Sequence, residues 1–120
     1  MLKAVLYVQI RPDRFIVRNT ADGHTVDRTS ASPFSHPRTL IGTFTTAEAL
    51  LKTMVSEVKG TFVLKTHILL HPLERIDGGL TQIEERAFHE LAMGSGASKA
   101  LVWVGSVLSD AEVIEKMKRA

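Results

Sequence analysis

The stretch from Thr61 to Gly105 constrains the fold more than any other, because it reads as strand, helix, strand. Thr66-His67-Ile68-Leu69-Leu70-His71 is a short apolar run that stops at Pro72, whose missing N–H and fixed φ end ladder pairing. A loop punctuated by Gly78-Gly79 follows, and Thr81-Gln82-Ile83-Glu84 opens a helix in which hydroxyl and carboxylate satisfy each other's exposed N–H groups. The helix runs to Gly94. Ala100-Leu101-Val102-Trp103-Val104 is apolar throughout and predicts a strand covered on both faces. Two such strands joined through a helix make a right-handed parallel crossover.

The flanking segments follow the same grammar. Residues 4–10 are nearly all apolar, as suits a central strand. Pro12-Asp13 gives a tight turn, Phe15-Ile16-Val17 returns as an antiparallel partner, and Ala21-Asp22-Gly23 turns again into a third strand, His24 to Arg28. Its Thr25, Asp27 and Arg28 are residues that keep a sheet edge from recruiting other chains. Thr29 to Arg38, with Pro33 and Pro37, reads as the least constrained segment. A capping box at Thr45-Thr46-Ala47-Glu48 predicts a helix whose Ala47, Leu50, Leu51, Met54, Val55 and Val58 share one face, with Gly60 as its left-handed cap. A further box, Ser109 to Glu112, opens a last helix, with Leu108 placed to staple onto Val113 and Lys116, Lys118 and Arg119 at its cation-favouring end.

Composition narrows the functional classes. At 120 residues the chain fits one domain spanning 1–120, large enough to bury a core without metal or disulfide staples. It has no cysteine, which excludes disulfides, thiol catalysis and cysteine-ligated zinc. Met1 to Ile10 carries neither a cleavage site nor a long apolar run, so a cytoplasmic chain without signal peptide or membrane span is expected. The net charge of +2 concentrates no basic face. Arg11, Arg14 and Arg18 come nearest to one, but no aromatic residues alternate with them, so nucleic acid is not the expected partner.

The order His71-Pro72, Thr81-Gln82-Ile83-Glu84-Glu85-Arg86-Ala87, Gly94-Ser95-Gly96-Ala97 and Ala100 to Val104 resembles MreB, the family of rod shape-determining bacterial actins. There a strand ending in Pro leads to a T-x-V-E-x-R-A helix, a Gly/Ala turn and an apolar strand. Roughly half the chain carries the resemblance, and the rest follows its order of elements. It implies an α/β fold of the ribonuclease H-like kind, built as one half (subdomain IA) of an actin-like ATPase. Its elements run βββαβαβα, with a five-stranded mixed sheet in the order 3-2-1-4-5 and helices on both faces. The Thr29 to Arg38 loop then stands where family members carry an inserted subdomain.

The same resemblance implies that the nucleotide chemistry has been lost. Gln9, Ile10, Arg11 and Pro12 stand at the family's phosphate loop, where an acidic residue and a D-x-G-T turn orient magnesium-bound water and bring N–H groups to phosphate. The carboxylate is now an amide, the glycine a bulky cation, and Pro12 donates no N–H. Val104, Gly105, Ser106 and Val107 occupy the E-E-P-M pattern that positions the attacking water, and none of their side chains does that work. Gln9 also removes the carboxylate on which a ribonuclease H-like nuclease would hold its metals.

Other constellations read as structural. His67 and His71 share a strand face roughly 13 Å apart, too far for one ion, and are expected to be satisfied by backbone. His89 is expected to be exposed, and His24 and His36 lie in loops. Glu84 falls in the stripe of Leu80, Ile83, Ala87, Phe88 and Leu91 and is read as the capping-box carboxylate. Trp103 and Met93 are read as core. Neither Ser35 nor Ser106 lies in a nucleophile elbow. The expectation is a non-catalytic module without cofactor or metal, acting through protein contacts by self-association or by docking on a cytoskeletal filament. Its candidate face is Arg11, Asp13 and Arg14 of the first turn with Gly78, Gly79, Gly105 and Ser106. The alternative is a small anion- or nucleotide-binding domain that uses Arg11 or Arg14 at the remnant cleft edge. Nucleotide binding is not expected under the preferred reading.

Overall fold

A computed structural model describes residues 3–120; Met1 and Leu2, the start of the run read above for a signal peptide, lie outside the described residues. The elements are β1 (Lys3–Arg11), β2 (Arg14–Asn19), β3 (Thr25–Thr29), α1 (Phe44–Val58), β4 (Lys65–Pro72), α2 (Gln82–Gly94), β5 (Lys99–Val102) and α3 (Asp110–Arg119). The five strands form one mixed sheet in the order β3-β2-β1-β4-β5, as the sequence predicts. β2 pairs antiparallel with β1 and β3, while β4 lies parallel to β1 and β5 parallel to β4.

Alternation along β1 decides which helix goes where. Ala4, Leu6, Val8 and Ile10 join Phe15, Val17, Ile68 and Leu70 on the face covered by α1 and α2. Tyr7 and Leu69 face the other way, onto Leu108, Val113 and Met117 around α3. The α1 face follows the expected stripe, with Ala47, Leu51, Met54, Val55 and Val58 buried. The predicted boxes at Thr81/Glu84 and Ser109/Glu112 both form, and Glu84 is spent on the Thr81 N–H at 2.9 Å.

Five expectations are corrected. First, α1 does not start from a box at Thr45: it begins at Phe44 after Thr43, which makes no side-chain cap bond. Tertiary contact replaces the cap, since Gly42 and Thr43 donate their N–H groups to the Phe34 carbonyl at 2.8 and 2.7 Å. Second, the Thr29 to Arg38 loop is pinned. Phe34 is fully buried and stacks on Phe15 at 4.9 Å between ring centroids, and an isolated bridge joins His36 to Thr39. Third, Pro72 lies within β4 rather than beyond it, because the two sides of the strand differ. Leu73 still donates to Ile10 of β1 at 3.0 Å, whereas on the β5 side Trp103 donates to Leu70 at 2.8 Å and the next bond would need an N–H at residue 72. The proline therefore ends the β5 ladder alone. Fourth, the last strand is Lys99–Val102, only half-buried, because it is the edge of the sheet. Fifth, Ile83 and Met93 are not core: they are 81% and 41% exposed.

Phe34 is what turns a Ser/Pro-rich loop into part of the core. Phe34→Ala is expected to cost about 3–5 kcal/mol in chemical denaturation and to make residues 29–39 the first site of limited proteolysis; an unchanged cleavage pattern would contradict it.

Candidate functional site

Ligands in open α/β sheets gather beyond the carboxyl ends of the parallel strands. Here those ends are Arg11 of β1, Pro72 of β4 and Val102 of β5, where the sequence also places its candidate face. Arg11, Asp13 and Arg14, the charged groups of that face, each find a partner within the chain.

Asp13 occupies the left-handed region at φ 57°, which its short polar side chain tolerates, and so closes the Pro12-Asp13 turn between the paired Arg11 and Arg14. Its Oδ1 accepts from the N–H groups of Phe34 and Ser35 at 2.8 and 2.7 Å and from the Ser35 hydroxyl at 2.9 Å. The Ser35 N–H is the main reason that the Asp13 carboxyl is held below the usual range, with the Ser35 hydroxyl and Phe34 N–H adding to it against partial burial. Arg11 pairs with Glu74 at 3.0 Å. Arg14 is bound through two nitrogens to Asp27, and Arg18 donates from two nitrogens to Asp110 at 2.9 Å each, the second pair tying β2 to the first turn of α3. The three arginines that resembled a basic patch thus each carry a carboxylate. These pairs are solvent-accessible, and their value is geometric more than energetic.

Gly78 and Gly79 both adopt positive φ, 79° and 86°, in the segment after Glu74 and Arg75. Arg75 donates to the His36 carbonyl at 2.7 Å. That contact, with Arg11–Glu74, joins the segment after β4 to the first turn and the pinned loop.

Gly105 and Ser106 belong to a second knot. His71 is fully buried between Tyr7 and Gly105: the Tyr7 hydroxyl lies 2.6 Å from Nδ1 and the Gly105 carbonyl 2.9 Å from Nε2. A carbonyl only accepts, so Nε2 carries the proton and Nδ1 accepts from the phenol. The phenol oxygen in turn accepts the Leu108 N–H at 3.2 Å. One polar chain therefore runs from the entry to α3, through β1 and β4, to the loop after β5. Trp103 covers it, donating Nε1–H to the Ser106 carbonyl at 2.9 Å beneath the Lys116 ammonium, 3.9 Å from the ring centroid. Trp103 is half-buried rather than enclosed. Gly105 has φ 153°, and a Cβ there would lie 2.7 Å from the Trp103 ring.

The sequence reading anticipated that His71 is satisfied by backbone, but it missed the phenol. A signal was present, since Tyr7 is the one hydroxyl in the apolar run 4–10 and a buried phenol needs a partner. His67, expected to behave like His71, instead stands half-buried among Lys3, Lys65 and Lys99, and burial followed by those cations lowers its pKa. His89 is exposed, as expected. Among the described residues, no three His, Asp or Glu side chains converge as metal ligands would, and no helix is long and apolar enough to cross a membrane.

Sheet and strand ends together define a small mixed α/β domain whose strand-end arginines are paired with its own carboxylates. No protein-family model matches the chain. It is 32% identical over 127 residues to the Escherichia coli (strain K12) protein described as "Uncharacterized protein YjaA", a match spanning 97% of this chain and 98% of that protein. The chain belongs to the YjaA family.

Two outcomes follow from the buried knot. Burial holds the His71 pKa below its ordinary 6.5, outweighing the opposing Gly105 contact, so as pH falls the unfolded chain takes up the proton first. This contribution is complete above about pH 6.5 and declines below it; His71→Gln should flatten the decline in melting temperature just below that pH, leaving the share due to His67 and, at lower pH, that of depressed carboxylates such as Asp13. Gly105→Ala should destabilise by about 1–3 kcal/mol and shift the Trp103 fluorescence; a neutral substitution would rule out the close packing described.

Proposed function

We propose that the chain is a non-catalytic domain, related to one half of an actin-like ATPase of the MreB kind, that acts through contacts with other proteins. The strand order 3-2-1-4-5 with a helical crossover between its parallel strands is that of a ribonuclease H-like core, and it supports the relationship suggested by the motifs of residues 71–104. A role in bacterial cell shape comes from that resemblance alone.

The observation that carries the non-catalytic reading is the fate of the Asp13 carboxylate. In a phosphate loop, backbone N–H groups face an anion brought by the ligand. Here the N–H groups of Phe34 and Ser35 already hold an anion supplied by the chain's own first turn. Arg11 and Arg14, the cations on which an anion-binding reading would rest, are paired with Glu74 and Asp27. A ligand phosphate would have to displace a carboxylate at every point.

Calorimetric titration of the chain with ATP and magnesium is expected to show only heats of dilution. Saturable binding lost on Arg11→Ala or Arg14→Ala would overturn this reading in favour of an anion-binding domain.

A further inference from the structure

The two edges of the sheet differ. Along β3, Asp27 and Arg28 carry charges at the rim and are locked to Arg14 and Glu57, a composition that discourages pairing with another strand. β5 has Ala100, Leu101 and Val102 along its length, and its one charged residue, Lys99, is turned to the Met117 carbonyl at 2.7 Å. In its register with β4, Leu101 and Trp103 direct their backbone groups inward. The N–H and C=O of Ala100 and Val102 therefore point away from the sheet, and no hydrogen bond reaches them among the described residues.

Beside this open edge runs a groove of about 860 Å³ between β5 and α2. Its apolar side is Ala100 to Val102 with the exposed Ile83, and its charged side is Glu85, Arg86 and Glu90. Arg11, Arg14, Arg18, Arg28 and Arg119 all have carboxylate partners within the chain. Arg86, Glu85 and Glu90 make no ion pair among the described residues.

We propose that β5 and the α2 groove form the interface of a two-fold homodimer. The inference rests on the reading of the chain as a protein-contact domain and names its partner, a second copy. A two-fold axis normal to the sheet at Leu101 lays β5 antiparallel to its copy, so that Ala100 of each chain faces Val102 of the other and every outward N–H meets a C=O. The same axis keeps both α2 helices on one face of the continuous sheet, where the groove of each receives side chains of the other. Charge selects a second copy over an unrelated strand: α2 brings both the guanidinium and the carboxylates, so Arg86 of one chain meets Glu85 and Glu90 of its mate, and the exchange is reciprocal. On the opposite face the two Leu101 side chains come together next to Trp103.

Sedimentation equilibrium of the full chain tests this. The expected result is a concentration-dependent dimer that Arg86→Glu weakens by about tenfold or more and that Glu85→Arg with Glu90→Arg, added to Arg86→Glu, restores. Residue 86 is exposed, so the fold is not at stake. Ala100→Pro removes an outward N–H that bonds nothing within the chain and should give a monomer. If that variant does not fold, hydrogen exchange of the wild type substitutes: the Ala100 and Val102 amides should gain protection as concentration rises. A wild type that stays monomeric at every concentration, or a dimer indifferent to Arg86→Glu in which those amides exchange as exposed groups, overturns the proposal. The ATP titration fails separately. A monomer silent to ATP removes only the dimer, whereas ATP binding removes the functional reading on which it stands.

Discussion

A strand buried on both faces admits a polar side chain only if the fold completes its hydrogen bonds, and at the heart of this sheet Tyr7 and His71 stand buried on adjacent strands. Tyr7 of β1 and His71 of β4 solve the problem jointly. The phenol donates to the imidazole, the imidazole to the Gly105 carbonyl, and the phenol accepts from Leu108. The consequence reaches beyond satisfaction of polar atoms. Leu108 immediately precedes the Ser109 cap of α3, and Gly105 follows β5, so the same chain of bonds fixes where the polypeptide leaves the sheet and where the last helix begins. With α3 so placed, Leu108, Val113 and Met117 cover the second face of the sheet. Remove the pair and α3 keeps its amphipathic pattern but loses its buried anchor, leaving the solvent-accessible Arg18–Asp110 pair to hold its first turn.

The regular elements were legible because each carries a local signal strong enough to outvote its surroundings. Two of the three expected capping boxes form, the Gly60 cap lies at positive φ, and the strand order is the one that the resemblance implied. The misreadings share one cause, contacts between segments remote in sequence. The Thr45 box yields to Thr43 because the Phe34 carbonyl, brought over by the pinned loop, takes the two N–H groups just ahead of the helix. The loop itself looked unconstrained because Ser and Pro dominate it, yet one aromatic residue and one distant carboxylate hold it. Ile83 lies at the margin of the apolar stripe of α2 and is exposed, since the sheet ends at β5 and does not reach over it, whereas Met93 lies on the far side of the helix from Phe88 and Leu91. Periodicity tells which side chains could be buried; only the extent of the neighbouring layer tells which ones are.

The candidate face was legible in its location but not in its state. The resemblance to MreB placed Arg11, Asp13 and Arg14 at a strand end of the kind where open α/β sheets bind ligands, and the turn is there. What no local pattern contains is that Asp13, Arg11 and Arg14 would each be engaged by residues far along the chain or across a hairpin. The dihedral angle of Asp13 supplies the physical link. A residue at φ 57° turns the chain sharply enough to bring its own carboxylate toward the loop amides.

That arrangement also has a thermodynamic consequence for anions arriving from solution. A set of converging N–H groups favours an anion whatever its source, and an anion tethered to the chain loses far less freedom on binding than one arriving from solution. Once a carboxylate sits at residue 13, the amides of Phe34 and Ser35 are satisfied at high effective concentration, and a free phosphate must compete against an internal partner. Proline at position 12 strengthens the effect by fixing the approach to the turn and by withholding an N–H that a ligand would need. The hydrogen bonds that pin the loop between β3 and α1 are thus the same ones that occupy the Phe34 and Ser35 amides, so that any anion competing for those amides must also loosen the loop.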